Sequence, residues 1–257
     1  PDFEGIASFE YTITDSTNLT DTATVTVNVA DTTLLYRVNA EQETIAALPG
    51  AQYDLNGAVD WIGIGGVGAQ SADGVSVNIG NISTHNITGR ATTGPYALPD
   101  YIPQGLFDKE RWDPDSAPVM EWEFDAQTPG DYTVNLFMGN GFGGTSAPGQ
   151  RVFDIVIEGD LVEDDLDLSA TLGHQIGGMF SYTVPVTDGT LDIDFLPVVE
   201  NPLINAIEIL GPAAPPAQPV VFIEDTVLTV SEAGGAVQIS ISTDIPVPEN
   251  ETVDVTF

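Results

Sequence analysis

The groups in this chain able to do chemistry are overwhelmingly carboxylates: 39 Asp and Glu stand beside two histidines and no cysteine. Without cysteine there is no thiol catalysis, no Cys-ligated zinc and no disulfide framework. Neither His85 nor His174 sits in a metal-ligand motif of the His-Glu-x-x-His kind, and no Gly-x-Ser-x-Gly elbow presents a nucleophile. A glycosidase needs two carboxylates facing across a cleft, but in so acidic a chain such pairs arise by chance and mark no centre. The stretch Gly63-Ile-Gly-Gly-Val-Gly68 loosely has the glycines of a phosphate loop, yet no lysine or helix follows it. The reading is therefore non-enzymatic. Two stretches are better placed to bind. Glu163-Asp-Asp-Leu-Asp167 offers carboxylate oxygens of the kind calcium takes, but it lacks the glycine-spaced loop of an EF-hand. It reads first as a solvated hairpin face and leaves the metal ligands unassigned. Gly139 to Gln150 is a glycine-rich loop around one aromatic, Phe142. Its backbone can approach a ligand closely while the ring offers a flat face to the C–H side of a sugar. The plain alternative is a solvent loop with Phe142 folded back onto the core.

Composition narrows the partners. Five basic residues, of which only Lys109 is a lysine, leave a formal charge of -34. Such a surface repels phosphate backbones and anionic lipid, which excludes nucleic acid and membrane surfaces, and it attracts cations. A hydrophobic content of 42% is nevertheless enough for a core. No apolar run is long enough for a membrane helix. No signal peptide is visible, and because Pro1 is not a natural start the sequence leaves an upstream signal open. Asn18, Asn81, Asn86 and Asn250 open Asn-x-Ser/Thr sequons, which matter only where the source glycosylates its secreted proteins.

The elements that must hold these groups are strands. Phe9, Tyr11 and Ile13 alternate with polar residues, as do Val25, Val27 and Val29, then Met120, Trp122 and Phe124. Phe153, Ile155 and Ile157 follow, then Leu191, Ile193 and Phe195, and last Val237, Ile239 and Ile241. Period-2 alternation marks half-buried antiparallel strands, and 26 glycines with 18 prolines punctuate them as turns. No sustained 3.6-residue period appears, so the fold is all-β, of sandwich type. Ala30-Asp-Thr-Thr33 and the proline-rich Gly211 to Pro219 divide the chain into 1–33, 34–211, a linker 212–218, and 219–257. The two end pieces are too short to close a sandwich and read as partial immunoglobulin-like strand pairs.

Several motifs carry a resemblance. Tyr36-Arg-Val-Asn-Ala40, Asp60-Trp61, Gly105 to Trp112, Gly149 to Ile155, Asp165-Leu-Asp167 and Val199 to Ile207 resemble the malectin family in order and spacing. That family is a β-sandwich carbohydrate-binding module of jelly-roll type. Phe9 to Asp15 with Asp21 to Val29 looks like the last strands of a bacterial cadherin-like repeat. Val221 to Gly235 with Val237 to Ser242 resembles the opening of a Calx-beta domain. Calcium at the junctions is the cofactor these flanks imply, with Asp31, Glu224 and Asp225 as candidates.

The malectin resemblance implies a sugar site. The family's loop aromatics fall on Trp112 and Phe142, with Gly141 where a second aromatic stands in the family. Its acidic residue falls on Glu200, beside Asn201. A further tyrosine falls on Tyr96 or Tyr101. Trp112 reads equally as core beside Arg111, Glu200 equally as a turn residue at Asn201-Pro202. Trp61 and Trp122 read as core. The expected function is a non-catalytic carbohydrate-binding module in a large extracellular adhesin, whose partners are glycans and neighbouring domains or copies. A structural repeat with ends completing immunoglobulin-like domains, or an accessory module of a glycoside hydrolase, are the alternatives.

Overall fold

A computed structural model describes residues 5–14, 20–29, 32–50, 58–64, 70–72, 74–114, 118–212, 221–223 and 241–243. Asp31, Glu224, Asp225, Asn18, Asn250, residues 65–68 and nearly all of the proline-rich linker lie outside these residues. The chain divides into two units, Pro1–Ala213 and Ala214–Phe257.

In the first unit the strands run β1 (Gly5–Thr14), β2 (Thr20–Val29), β3 (Thr32–Asn39), β4 (Ile62–Gly63), β5 (Gln70–Ala72) and β6 (Val75–Val77). Next come β7 (Ile82–Thr84), β8 (Gly89–Arg90), β9 (Lys109–Trp112), β10 (Met120–Asp125), β11 (Gly130–Met138) and β12 (Val152–Ile157). The last are β13 (Asp160–Leu166), β14 (Ile176–Val186), β15 (Thr190–Val199), β16 (Leu203–Ile204) and β17 (Ala206–Pro212). The one α-helix among the described residues is the single turn Leu168–Thr171, capped by the Asp167 side chain. No helix among them is long and apolar enough to cross a membrane. The second unit contributes the antiparallel pair β18 (Val221–Ile223) and β19 (Ile241–Thr243).

Two six-stranded sheets, ordered β13-β12-β15-β10-β6-β5 and β4-β3-β17-β11-β14-β8, face one another. Pairing is antiparallel except at the two-residue edges β4 and β8. The all-β sandwich expected from the alternation is thus the fold, and the alternation is its cause. On β10, Met120, Trp122 and Phe124 are buried while Glu121, Glu123 and Asp125 are exposed. The facing sheet supplies Val134, Leu136, Phe180, Ile207 and Ile209 to the same core. Trp122 and Trp61 are both fully buried, as the sequence reading expects.

The second sheet buries its outer face as well. Trp61, Ile87, Ile102, Leu106, Phe107 and Phe137 form a second cluster on that side. A polar row crosses the same sheet: Arg37 on β3 pairs with Glu208 on β17, which in turn stands opposite Asn135 on β11. Arg37 Nε donates to Glu208 Oε2 at 2.8 Å, and Asn135 Nδ2 donates to Glu208 Oε1 at 3.0 Å. The side chains of Arg37 and Glu208 are 1% and 0% exposed, and Trp61 and Tyr101 cover the guanidinium. Breaking a buried pair on one side strands the other charge, at about 3–5 kcal/mol, whereas replacing both with apolar residues is far less costly. Arg37→Met is therefore expected to lose stability on that scale in urea unfolding, and Arg37→Met/Glu208→Leu to recover most of it. Equal losses in the single and double variants would show that packing, rather than a stranded carboxylate, dominates.

Candidate functional site

A third, three-stranded sheet of order β16-β9-β7 builds one wall of a cleft. Alternation on β9 sends Arg111 and Glu110 to opposite sides. Arg111 goes inward over the Trp122 ring and donates to the backbone carbonyls of Ala40, Ile79 and Ile64. Burial pulls its pKa down to about 10, which leaves it charged at neutral pH. Glu110 and Trp112, two residues apart, share the other face with Ser83, which pairs with Glu110 across β7. Trp112 Nε1 donates to Ser83 Oγ at 2.9 Å, which fixes the indole plane.

The opposing wall is the loop after β11. Its buried anchor is Asn140, whose amide donates to Thr145 O at 2.6 Å and Ser169 Oγ at 2.9 Å, while its Oδ1 accepts from Thr145 Oγ1. Two glycines allow the packing: a Cβ on Gly141 would meet His85 Cβ at 2.5 Å, and one on Gly144 the Phe142 ring at 2.5 Å. Phe142 thereby lies over the loop, 5.6 Å from the His85 ring and 41% exposed.

Arg151, just before β12, joins the walls. Its Nη1 donates to Asn140 Oδ1 at 3.1 Å and to Glu110 Oε1 at 3.3 Å, and Nη2 donates to Glu200 Oε2 at 3.3 Å. Its guanidinium carbon is 6.0 Å from the Phe142 ring centre. Glu200 follows β15 in the left-handed region, φ 62°, and also accepts from its neighbour Asn201 N at 2.8 Å. It is thus a turn residue at the Asn201-Pro202 bend, one of the two readings the sequence allowed. The resulting cleft, of about 280 Å³, is lined by Ser83, His85, Glu110, Trp112, Phe142, Arg151, Glu200 and Asn201.

The electrostatics follow from burial. Desolvation pushes the Glu110 carboxyl up to about 7, and Glu200 adds to the rise; Arg151 and the Gly141 backbone oppose it. Desolvation lowers the His85 pKa first, with Arg151 and His174 acting in the same direction, so the imidazole is neutral at neutral pH.

Four of the residues singled out from sequence, Trp112, Phe142, Glu200 and Asn201, come together in this cleft. Tyr96 and Tyr101 lie elsewhere. Tyr96 packs on Phe180, ring centres 4.5 Å apart, and Tyr101 covers Arg37 beside the second apolar cluster. Sequence reasoning missed Ser83, His85, Glu110 and Arg151 as lining residues. Arg151 had a signal: a cation is scarce enough in this chain to suggest a specific partner. In the acidic hairpin, Asp154 joins Asp164 and Asp165, with ligand oxygens all within 4.8 Å, and its Oδ1 accepts from Asp165 N.

Comparison with known proteins agrees with this architecture. The model of the malectin domain matches residues 72–207, more than half of the chain. Receptor-like protein 4 of Arabidopsis thaliana is 30% identical over 113 residues, covering 43% of this chain and 18% of that protein, so the chain spans under a fifth of its length. The extracellular domain of ANXUR1 from the same plant superimposes with a TM-score of 0.55 at 16% identity, over 74% of this chain and 51% of that one. A structure of the plant peptide RALF23 in complex with FER and LLG2 gives 0.55 at 20% identity, covering 78% and 54%. The chain belongs to the malectin domain family.

The Glu110 shift has a measurable consequence. Its folded pKa lies above the ordinary glutamate range, so from that range up to about 7 the folded state holds a proton that the unfolded chain has released. Its contribution to stability therefore falls as pH rises through this window and is lost above it. The unfolding free energy of Glu110→Gln, relative to the native chain, is expected to improve by about 1–3 kcal/mol between about pH 5 and about pH 8. A difference that does not change with pH would mean that Glu110 ionises as an ordinary carboxyl.

Proposed function

We propose that this malectin-family sandwich is a non-catalytic carbohydrate-binding module, with its site in the cleft between Trp112 and Phe142. The observation that carries the reading is the pairing of aromatic faces with fixed polar groups. The Trp112 plane is set by Ser83, Phe142 is held on a loop pinned by Asn140, and Glu200 with Asn201 stands in the same cleft, fixed by Arg151. Stacking against a pyranose ring, with carboxylate and amide groups to orient its hydroxyls, is what sugar recognition requires. Partial exposure of Phe142 supports a role beyond packing. The module spans 34–211, and the cadherin-like and Calx-beta-like flanks support a place in a large extracellular surface protein. Likeness to an extracellular plant domain is in keeping with that location.

A second reading, a structural repeat whose ends complete immunoglobulin-like domains with neighbours, is favoured by the terminal pairs. Strands β1 and β2 pair along ten positions and, among the described residues, only with each other; β18 and β19 do the same over three. Two-stranded sheets are marginal alone, so such pairs call for further strands.

A glycan array with the whole chain decides between the readings. Binding of a defined glycan set that weakens at least about tenfold in both Trp112→Ala and Glu200→Ala is the expected result. A folded chain that binds no glycan would sink the lectin reading and leave the structural one.

A further inference from the structure

The placement of cations decides which sugars the cleft can accept. The chain has five basic residues, and each is engaged internally. Arg37 is sealed against Glu208, and Arg111 against three backbone carbonyls. Arg90 donates to Ile102 O and Pro99 O, and Lys109 pairs with Glu41 at 2.7 Å. Arg151 is divided between Glu110 and Glu200. A uronate or sulfated sugar entering the cleft would therefore find two carboxylates and no unpaired cation, in the field of a chain of formal charge -34.

Glu200 keeps one acceptor oxygen for a further donor. Arg151 Nε, Arg151 Nη2 and Asn201 N all converge on one oxygen, Oε2. Among the described residues Oε1 accepts no hydrogen bond, and the side chain is 37% exposed at the cleft. A neutral hydroxyl donating to Oε1 would already make a charge-assisted bond, and an ammonium adds the attraction of opposite charges to it. The faces of Trp112 and Phe142 in the same cleft also favour a cation over an anion. Resting on the carbohydrate reading above, we propose that the preferred ligand is an amine-bearing glycan of the glucosamine type. Its ammonium donates to Glu200 Oε1 while its ring stacks on the aromatic walls.

Calorimetric titration of the whole chain tests this with four tetramers: glucosamine, N-acetylglucosamine, glucose and a uronic acid. N-acetylation keeps ring and hydroxyls but removes the charge. The expected order is glucosamine tighter than its N-acetylated form by about tenfold, with the uronic acid weakest or silent. Glucosamine is also expected to displace any neutral tetramer that binds, since both occupy one cleft. Glu200→Gln, which changes one charge among 39 acids, is expected to bring the glucosamine to N-acetylglucosamine ratio close to one, whatever it does to affinity overall. Equal affinities in the native chain would overturn the amine preference and leave the carbohydrate reading standing. Silence from every tetramer would overturn the amine proposal and leave the carbohydrate reading to the glycan array. A preference that persists in Glu200→Gln, or glucosamine that fails to displace a bound neutral sugar, would mark general attraction to an acidic surface and also overturn the proposal.

Discussion

Arg151 reaches Asn140, Glu110 and Glu200 at once, and these come from the loop after β11, from β9 and from the turn after β15. Three segments distant in sequence are thus held by one planar group with five donors in a fixed fork. The desolvation cost of burying that guanidinium is offset only because acceptors surround it, two of them carboxylates. The raised pKa of Glu110 is the residue of this compromise: one cation serves two acids, and the more buried acid is incompletely compensated. The Phe142 loop, through Asn140, and the Glu200 carboxylate are both tied to this group, while the Trp112 plane is set separately by Ser83.

The same principle recurs elsewhere in the sandwich with other partners. Arg111 has no carboxylate and is satisfied by backbone carbonyls, which ties β3, the segment after β4 and the segment before β7 to the strand carrying Trp112. Arg37 takes a carboxylate on the neighbouring strand and is roofed by aromatics. Cations are thus spent on joining segments inside the first unit, and the surface is left to acids. That division explains how a chain with so lopsided a charge keeps an ordered interior: its internal electrostatics are paired locally, and the excess is solvated.

Period-2 alternation reads β1, β2, β10, β12 and β15, because burial on one face writes itself directly into the order of residues; Val237 and Ile239 lie outside the described residues. Met120, Trp122 and Phe124 on β10 are the clearest case. Family motifs brought Trp112, Phe142, Glu200 and Asn201 to notice, and all four share the cleft. Glu110 escaped because a glutamate on an alternating strand looks solvated, and nothing local says that a loop from residues 139–145 will cover it. Arg151 escaped for a related reason, since its partners lie 11, 41 and 49 residues away. Tyr96 and Tyr101 show the converse: each aromatic found an apolar neighbour, Phe180 or the second cluster, and packing outcompeted exposure.

The outer face of the first sheet shows how much charge repulsion the interior can override. Glu121 stands directly opposite Asp194, and Glu123 opposite Asp192, across β10 and β15. Burial raises the pKa values of Asp192 and Asp194, and their acidic neighbours push in the same direction. Like charges so placed cost about 0.2–1 kcal/mol per pair. Between them on the inner face, Trp122, Phe124, Ile193 and Phe195 are almost wholly buried, at about 1.5–3 kcal/mol for each large aliphatic or phenyl side chain. Burial wins by a wide margin, so the register is set by the inner face and the outer acids accept the positions it leaves them. Repulsion among solvated carboxylates is also the part that salt screens. An acidic sheet face of this kind is therefore tolerated by the fold rather than required by it, whereas each cation inside holds particular partners in place.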